Sequence, residues 1–162
     1  MIRSLLCAAV LAAPLSSVAA QNSADQRAVL ATVQRFFDAI GTRDTAAAHA
    51  TMAHEGLLLA VRSRGDSSTA TRTTHQQFLS SLAAGGPRFL ERMWKPTVLI
   101  RGPIAQVWTE YDFHRDGVFS HCGVDSFGLV RDAAGWKITG ITYTVEPTGC
   151  APSALGPPKP EV

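Results

Sequence analysis

Residues 104–131 decide the fold, and they read IAQVWTEYDFHRDGVFSHCGVDSFGLVR. Apolar and polar side chains alternate along both halves of this stretch, which is the period of a β-strand with one buried face. Between the halves, Asp116-Gly117 suits a two-residue hairpin turn, because both central positions of that turn need a positive φ. Residues 97–101 and 136–146 continue the alternation on either side. We therefore predict an antiparallel meander of four strands.

Helical spacing dominates upstream of the meander. Ser23 and Thr74 each begin a capping box, and Asp44 is a further helix cap. Apolar side chains recur on one face of the first helix as far as Ile40, before Gly41 ends it. The predicted helices cover residues 23–40, 45–53 and 75–82, and the predicted upstream strands cover residues 56–62 and 67–73. This order, with helices first and a meander last, predicts an α+β domain with a curved antiparallel sheet packed on N-terminal helices.

The composition limits the classes of partner. The chain has 162 residues, of which 17% are charged, and its formal net charge is +2. This length is enough for one domain with its own core, and the 46% share of hydrophobic residues excludes a disordered chain. A near-neutral charge offers no electrostatic footprint for nucleic acid or for an anionic membrane surface. We therefore expect neither of these partners.

The two ends of the chain differ in composition from the domain. Residues 1–20 combine a cationic start at Arg3, an apolar stretch and small residues before Ala20, which is the pattern of a secretory signal peptide. The alternative is a buried N-terminal helix. We expect an exported protein, periplasmic or secreted, with one domain over residues 21–150. Residues 151–162 are rich in proline and are predicted to be a disordered tail.

Export also changes the cysteine count. Cys7 would leave with the signal peptide, so that Cys122 and Cys150 remain in an oxidising compartment. A disulfide between them would tie the C-terminal segment back to a strand. The alternatives are two separate buried thiols or one reactive thiol, and no Cys-x-x-Cys redox motif is present.

Two segments of the meander resemble a known superfamily. Residues 120–127 read SHCGVDSF and residues 135–138 read GWKI. Together with residues 105–113, they resemble the nuclear transport factor 2-like (NTF2-like) superfamily of SnoaL-like cones, in the branch named for lumazine binding. The resemblance implies a cone-shaped α+β fold whose sheet and helices enclose a pocket. It implies no single activity, because the superfamily includes isomerases, cyclases, dehydratases, binding proteins and assembly modules.

The hairpin turn also predicts which side chains share a face of the sheet. A two-residue turn pairs Arg115 with Val118, and continued alternation then places Asp112 opposite His121. One face is predicted to carry Trp108, Glu110, Asp112, His114, Phe119, His121, Asp125, Phe127, Leu129, Trp136 and Ile138. The other is predicted to carry Val107, Tyr111, Phe113, Cys122, Val124, Val130, Ile141 and Tyr143. A single β-bulge would exchange the faces locally.

Asp112, His121 and Asp125 are the candidate catalytic residues of this prediction. A carboxylate beside an imidazole holds one tautomer and raises its basicity, so Asp112 would prepare His121 as a general base. Asp125, predicted to lie opposite Trp108, would be desolvated and poised as an acid or a base. The alternative is a buried hydrogen-bond network that only stabilises the fold. We predict no metal ion and no cofactor, because the sequence contains no short pair of metal ligands.

Three functions from different classes remain open. The first is a binding protein without catalysis, and the second is an isomerase, dehydratase or cyclase that transfers protons with the same carboxylate and imidazole. The third is a structural domain that forms a homodimer. The binding protein ranks first because no complete catalytic constellation is present, and its expected partner is a small hydrophobic or heteroaromatic molecule. The predicted ligand contacts are Trp108, Tyr111, His121, Asp125, Phe127, Trp136 and Tyr143.

Overall fold

One mixed sheet of six strands wraps around the first helix. The computed structural model describes residues 16–158, and side chains from residue 24 onward. Within this part of the chain the helices are α1 (Ser16–Thr42), α2 (Thr45–Thr51) and α3 (His75–Ala83). The strands are β1 (Met52–Arg64), β2 (Ser67–Thr74), β3 (Phe89–Arg101), β4 (Ile104–Arg115), β5 (Val118–Asp132) and β6 (Gly135–Thr144). The predicted α+β class, with a meander after the helices, is confirmed.

The strand order is β2-β1-β6-β5-β4-β3. The pairing of β1 with β6 is parallel, and the other four pairings are antiparallel. The β1–β2 hairpin therefore joins the meander at its last strand, β6. The sheet is mixed, whereas the sequence predicts a purely antiparallel one. The parallel pair is possible because α3 and four strands separate β1 from β6 along the chain.

Helix α1 buries its apolar face against the concave side of the sheet. Val29 and Val33 are fully buried, and Phe36, Phe37 and Ile40 are nearly so. They pack with side chains from the four inner strands β1, β6, β5 and β4 in one core, as their spacing at helical period predicts. The helix begins at Ser16, so the predicted cap at Ser23 is wrong. The reason is local, since Ala19, Ala20 and Gln21 just before it have high helix propensity, so the helix continues through Ser23.

The other two helix starts follow the predicted caps. The Asp44 side chain accepts a hydrogen bond from the backbone of Ala47, and Thr74 forms a complete capping box with Gln77. Helix α2 ends at Thr51, two residues earlier than predicted, because the next residue is extended and pairs with β6.

Strand β3 is longer than the predicted residues 97–101. The register between β3 and β4 shifts between Trp94 and Thr97, where Lys95 has a φ of 52°. This irregularity precedes Pro96 and interrupts the alternation, but the strand continues on its other side as far as Phe89. The longer strand brings residues 89–94 into the sheet.

A bulge in the β4–β5 hairpin reverses the predicted faces. Arg115 pairs with Val118 as predicted, but Phe113 pairs with His121, so that Ser120 is the extra residue. Beyond this bulge Asp112 lies opposite Cys122, and the predicted pairing of Asp112 with His121 is wrong. One inserted residue moves every later side chain of β5 to the other face relative to β4.

The concave face therefore carries side chains that the sequence predicts on opposite faces of the sheet. Trp108 pairs with Ser126 instead of Asp125, and Thr109 lies opposite Asp125. The register between β5 and β6 shifts again between Gly128 and Leu129. The side chains that pack against α1 or line the space beside it include Val107, Tyr111, Phe113, His121, Asp125, Phe127, Leu129, Trp136, Ile138, Ile141 and Tyr143. The convex face carries Trp108, Glu110, Asp112, His114, Phe119 and Cys122.

The predicted disulfide is confirmed. Cys122 and Cys150 are bonded, with a Cα–Cα distance of 6.0 Å. The backbones of Cys122 and Glu146 also form an isolated antiparallel bridge, so the chain after β6 is held against the convex face. Residues 151–158 form no helix or strand. Residues 1–15 of the predicted signal peptide and residues 159–162 of the predicted tail lie outside the described residues.

Within residues 16–158, none of the helices combines the length and the apolar character needed to cross a membrane.

Candidate functional site

A cavity of about 230 Å³ lies between α1 and the concave face of the sheet. Aromatic rings form much of its wall. The ring of Phe127 lies 6.3 Å from that of Phe36 and 5.7 Å from that of Phe37, both in edge-on contact. The other lining aromatic residues are Phe78, Phe89, Tyr111, Phe113, His121 and Tyr143. A concave, mostly apolar cavity with a few polar groups is the usual form of a small-molecule site.

The main polar feature of the cavity is a pair of carboxyl groups. Glu91 enters from β3 and Asp125 from β5, and the two side chains hydrogen bond to each other. Asp125 is 1% exposed, and its Oδ2 accepts no hydrogen bond from an N–H or hydroxyl donor of the described residues. Burial raises the pKa of Glu91 to about 8 and raises the pKa of Asp125 well above its usual value. Two carboxyl groups can hydrogen bond only if one holds a proton, so the pair keeps at least one proton at neutral pH.

Two tyrosines lie beside this pair. The hydroxyl of Tyr111 donates to the backbone oxygen of Thr144 at 2.6 Å, and its ring lies 6.5 Å from that of Tyr143. Burial, together with the negative charge that Asp125 and Glu91 would carry, raises the pKa of both phenols. Both tyrosines are therefore neutral under ordinary conditions and supply hydrogen-bonding groups without charge.

His121 is a neutral imidazole in this site. Its ring stacks on Phe113 at 4.9 Å, and its Nδ1 lies 3.0 Å from the hydroxyl of Ser120. Burial, followed by the positive charges of Arg115 and Arg62, lowers the pKa of His121 to about 4. The prediction that a neighbouring carboxylate raises its basicity is wrong, because the bulge at Ser120 places Asp112 on the opposite face.

Asp112 belongs to a separate ion pair on the convex face. Arg92 donates two hydrogen bonds to its carboxylate, at 2.9 and 2.5 Å, and Nε2 of His114 lies 3.3 Å from Oδ1. All three side chains are largely buried. Asp112 thus compensates a buried arginine and has no access to the cavity, whereas the candidates His121 and Asp125 both line it.

Some of the predicted ligand contacts line the cavity, and the others do not. Tyr111, His121, Asp125, Phe127 and Tyr143 line the cavity. Trp108 is 57% exposed on the convex face. Trp136 is buried in the core, with the guanidinium of Arg131 5.1 Å above its ring. Neither tryptophan lines the cavity, so their ligand contacts stay predictions without support from the geometry.

Glu91 is the main residue that the sequence reasoning missed. The acid lies two residues from Phe89 and two from Met93, so it occupies an inward position of an alternating run. A carboxylate at an apolar position of a strand is the signal that could have identified it. Arg62 and Arg115 also line the cavity, and neither is among the ligand contacts that the sequence predicts.

Gly123 makes room for the ring of Tyr111. A Cβ at this position would overlap the Thr144 carbonyl oxygen, and it would lie 2.9 Å from Cε1 of Tyr111. We expect Gly123→Ala to lower the free energy of unfolding by about 1–3 kcal/mol, because backbone and ring must both shift. Gly140→Ala is the matched control, since its nearest neighbour is 3.4 Å away. Urea denaturation of both variants checks this, and equal losses would contradict it.

No group of three or more His, Cys, Asp or Glu side chains is placed to hold a metal ion, as far as residues 24–158 show.

Similar cones occur in solved structures. An NTF2-like protein from Cytophaga hutchinsonii superposes with a TM-score of 0.65 at 10% identity, covering 74% of this chain and 97% of the other. An NTF2-like protein from Novosphingobium aromaticivorans gives 0.61 at 15% identity, covering 82% and 90%. This chain has the NTF2-like fold. A proposed dehydratase of the NTF2-like family from Streptomyces avermitilis also matches, with a TM-score of 0.59, 17% identity and coverage of 76% and 97%. No protein-family model and no curated protein sequence matches the chain. These matches support the NTF2-like fold but not the lumazine-binding branch.

Proposed function

We propose that this chain is an exported protein that binds a small, mostly apolar molecule in the cavity of its NTF2-like cone. The observation that carries the proposal is the carboxyl pair of Glu91 and Asp125 inside a cavity lined mostly by aromatic and aliphatic side chains. Placing two acids among apolar side chains costs folding free energy that an apolar pair would avoid, so such groups are concentrated at functional sites. The disulfide between Cys122 and Cys150 is typical of oxidising compartments and supports export.

The chemistry of the pair defines the polar edge of the ligand. A protonated carboxyl donates one hydrogen bond and accepts others, and its partner accepts. A ring that presents an N–H beside a carbonyl or ring nitrogen complements this arrangement, while its faces contact the phenylalanines. The volume exceeds the ~150 Å³ of an apolar cavity that takes up benzene, so one or two fused rings are the expected size.

Asp125→Leu tests the binding role. A thermal-shift screen of one- and two-ring heteroaromatic compounds should yield a ligand that stabilises the wild-type chain saturably. Because the substitution removes the hydrogen-bonding groups, we expect at least about tenfold weaker binding in calorimetry.

Thr109→Val is the matched control. Thr109 lies directly opposite Asp125, is fully buried, and donates to the carbonyl of Trp94 outside the cavity. Its substitution also exchanges a buried polar group for an apolar one, and binding should change by less than about twofold. An empty screen, or equal losses in the two variants, would exclude the proposal.

A second candidate function is proton transfer of the isomerase or dehydratase type. It is favoured by the raised pKa of Glu91 and Asp125, which leaves an acid beside a potential base near neutral pH. Asp125→Asn separates the two roles, because it keeps size and hydrogen bonding but removes the titrating proton. Turnover of the bound molecule that Asp125→Asn abolishes, with binding retained, would establish the enzyme. Binding without turnover would instead support a binding protein without catalysis.

The proposed homodimer would use the convex face. Leu99, Ile104 and Trp108 are more than half exposed there, on the neighbouring strands β3 and β4. An exposed apolar patch of this kind suits contact with a second copy. The dimer stays a prediction.

A further inference from the structure

Two arginines meet at the open end of the cavity. Arg62 follows Val61, which pairs with Thr144 at the end of β6, and Arg115 ends β4 at the hairpin with β5. Both line the cavity, and both side chains are exposed. His121 lines the same cavity, and the positive charges of both arginines lower its pKa. The end of the cavity beside His121 is therefore positively charged.

Nothing in the described part of the chain neutralises this charge by direct pairing. Among residues 24–158, no acidic side chain forms an ion pair with Arg62 or with Arg115. Arg115 lies 5.7 Å from the ring centroid of Phe89, a contact that leaves its N–H donors available. The acids inside the cavity, Glu91 and Asp125, share a proton and so carry less than their full charge.

We propose that the ligand is a small organic carboxylate, held at the cavity mouth by Arg62 and Arg115. Its ring body would lie against Phe36, Phe37 and Phe127, and its inner polar edge would meet the Glu91–Asp125 pair. A guanidinium fork matches the two oxygens of a carboxylate, and two forks at a partly desolvated mouth bind an anion better than either alone. This inference rests on the proposed binding function and adds the charge and the orientation of the ligand.

Matched probes test the charge requirement. Benzoate and 2-naphthoate carry the carboxylate, and benzamide and 2-naphthamide keep the ring and the shape without the charge. Isothermal titration should show the naphthoate binding about tenfold more tightly than the naphthamide, with a difference that shrinks at high salt. We expect Arg62→Gln and Arg115→Gln each to weaken the naphthoate about three- to tenfold and to leave the naphthamide unchanged.

Arg101→Gln is the control variant, since Arg101 is an exposed arginine at the far end of β3 and does not line the cavity. It should bind both probes like the wild type. The pKa of His121, followed by NMR, should rise when naphthoate binds, because the anion offsets the two arginines. Equal affinity for acid and amide, or no effect of the two arginine substitutions, would overturn the carboxylate inference alone. If none of the four probes binds while the thermal-shift screen still yields a ligand, the carboxylate inference fails and the proposed function stands; if the screen is also empty, both fail.

Discussion

The free energy of unfolding should fall by about 2 kcal/mol or more when the pH rises from about 6.5 to about 8. In this range the folded chain retains at least one proton on the Glu91–Asp125 pair, because the pKa values of both acids are raised, while the unfolded chain has already lost that proton near pH 4. A proton that the folded chain holds and the unfolded chain has lost lowers the free energy of unfolding by about 1.4 kcal/mol for each unit by which the pH rises. The contribution of the carboxyl pair to stability is therefore fully present below the ordinary pKa of the acids, and it is lost as the pH rises toward their folded pKa values.

The histidines act in the opposite direction at lower pH. The pKa values of His75 and His121 are lowered, chiefly by burial, so the unfolded chain binds the extra protons below pH 6.5. Their contribution makes stability rise with pH up to about 6.5 and then stops. Above pH 6.5, the change in the free energy of unfolding with pH therefore reports on the carboxyl pair.

A double variant, Glu91→Gln with Asp125→Asn, should remove most of the decline above pH 6.5. The control is Glu55→Gln, which alters an exposed carboxyl on β1 and should keep the wild-type slope. Urea titrations at several pH values measure the slope for each protein. A wild-type stability that stays constant from pH 6.5 to 8, or a double variant that declines equally, would show that no proton is held between these acids.

Replacing both cysteines of the disulfide, Cys122→Ser with Cys150→Ser, should lower the free energy of unfolding by about 3–4 kcal/mol. The bond joins residues separated by 28 positions, and closing a loop of that length removes this much entropy from the unfolded chain. The segment from Glu146 to Cys150 should loosen first, because its other backbone link to the sheet is the bridge to Cys122.

Reduction provides the control for this experiment. Wild-type protein in reductant should unfold at the denaturant concentration of the double variant, and the double variant should be insensitive to reductant. Equal midpoints for oxidised wild type and the double variant would mean that the disulfide does not stabilise the fold. Binding in the cavity should be retained, because Cys122 lies on the convex face.

The parts of the fold that could be predicted depend on short stretches of chain. The caps at Asp44 and Thr74 act within four residues, and the turn at Asp116-Gly117 is a property of two. The apolar face of α1 follows from a single helical period. The parallel contact of β1 with β6 could not be predicted in this way, because it joins segments far apart in the chain.

The candidate site could be predicted only in part. The sequence predicts Asp125 and His121 as candidate catalytic residues, and both line the cavity. It also groups Asp112 with them, because uninterrupted alternation runs through Ser120, where the strand contains an extra residue. Glu91 was missed because the irregularity before Pro96 hides the first half of β3 from a period-two pattern.

The sequence by itself determined the α+β class, the cysteine pair and the segments that become helices and strands. The reason is that helix and strand propensity, capping and hydrophobic period each depend on residues that are close together in the chain. The tertiary structure decided which face of the sheet lines the cavity and which acid shares a proton with Asp125. The physical reason is that side chains alternate with a period of two, so one bulged residue exchanges inside and outside. Glu91 and Asp125 lie on β3 and β5, with β4 between them, so their contact depends on the packing of three strands and not on any local pattern.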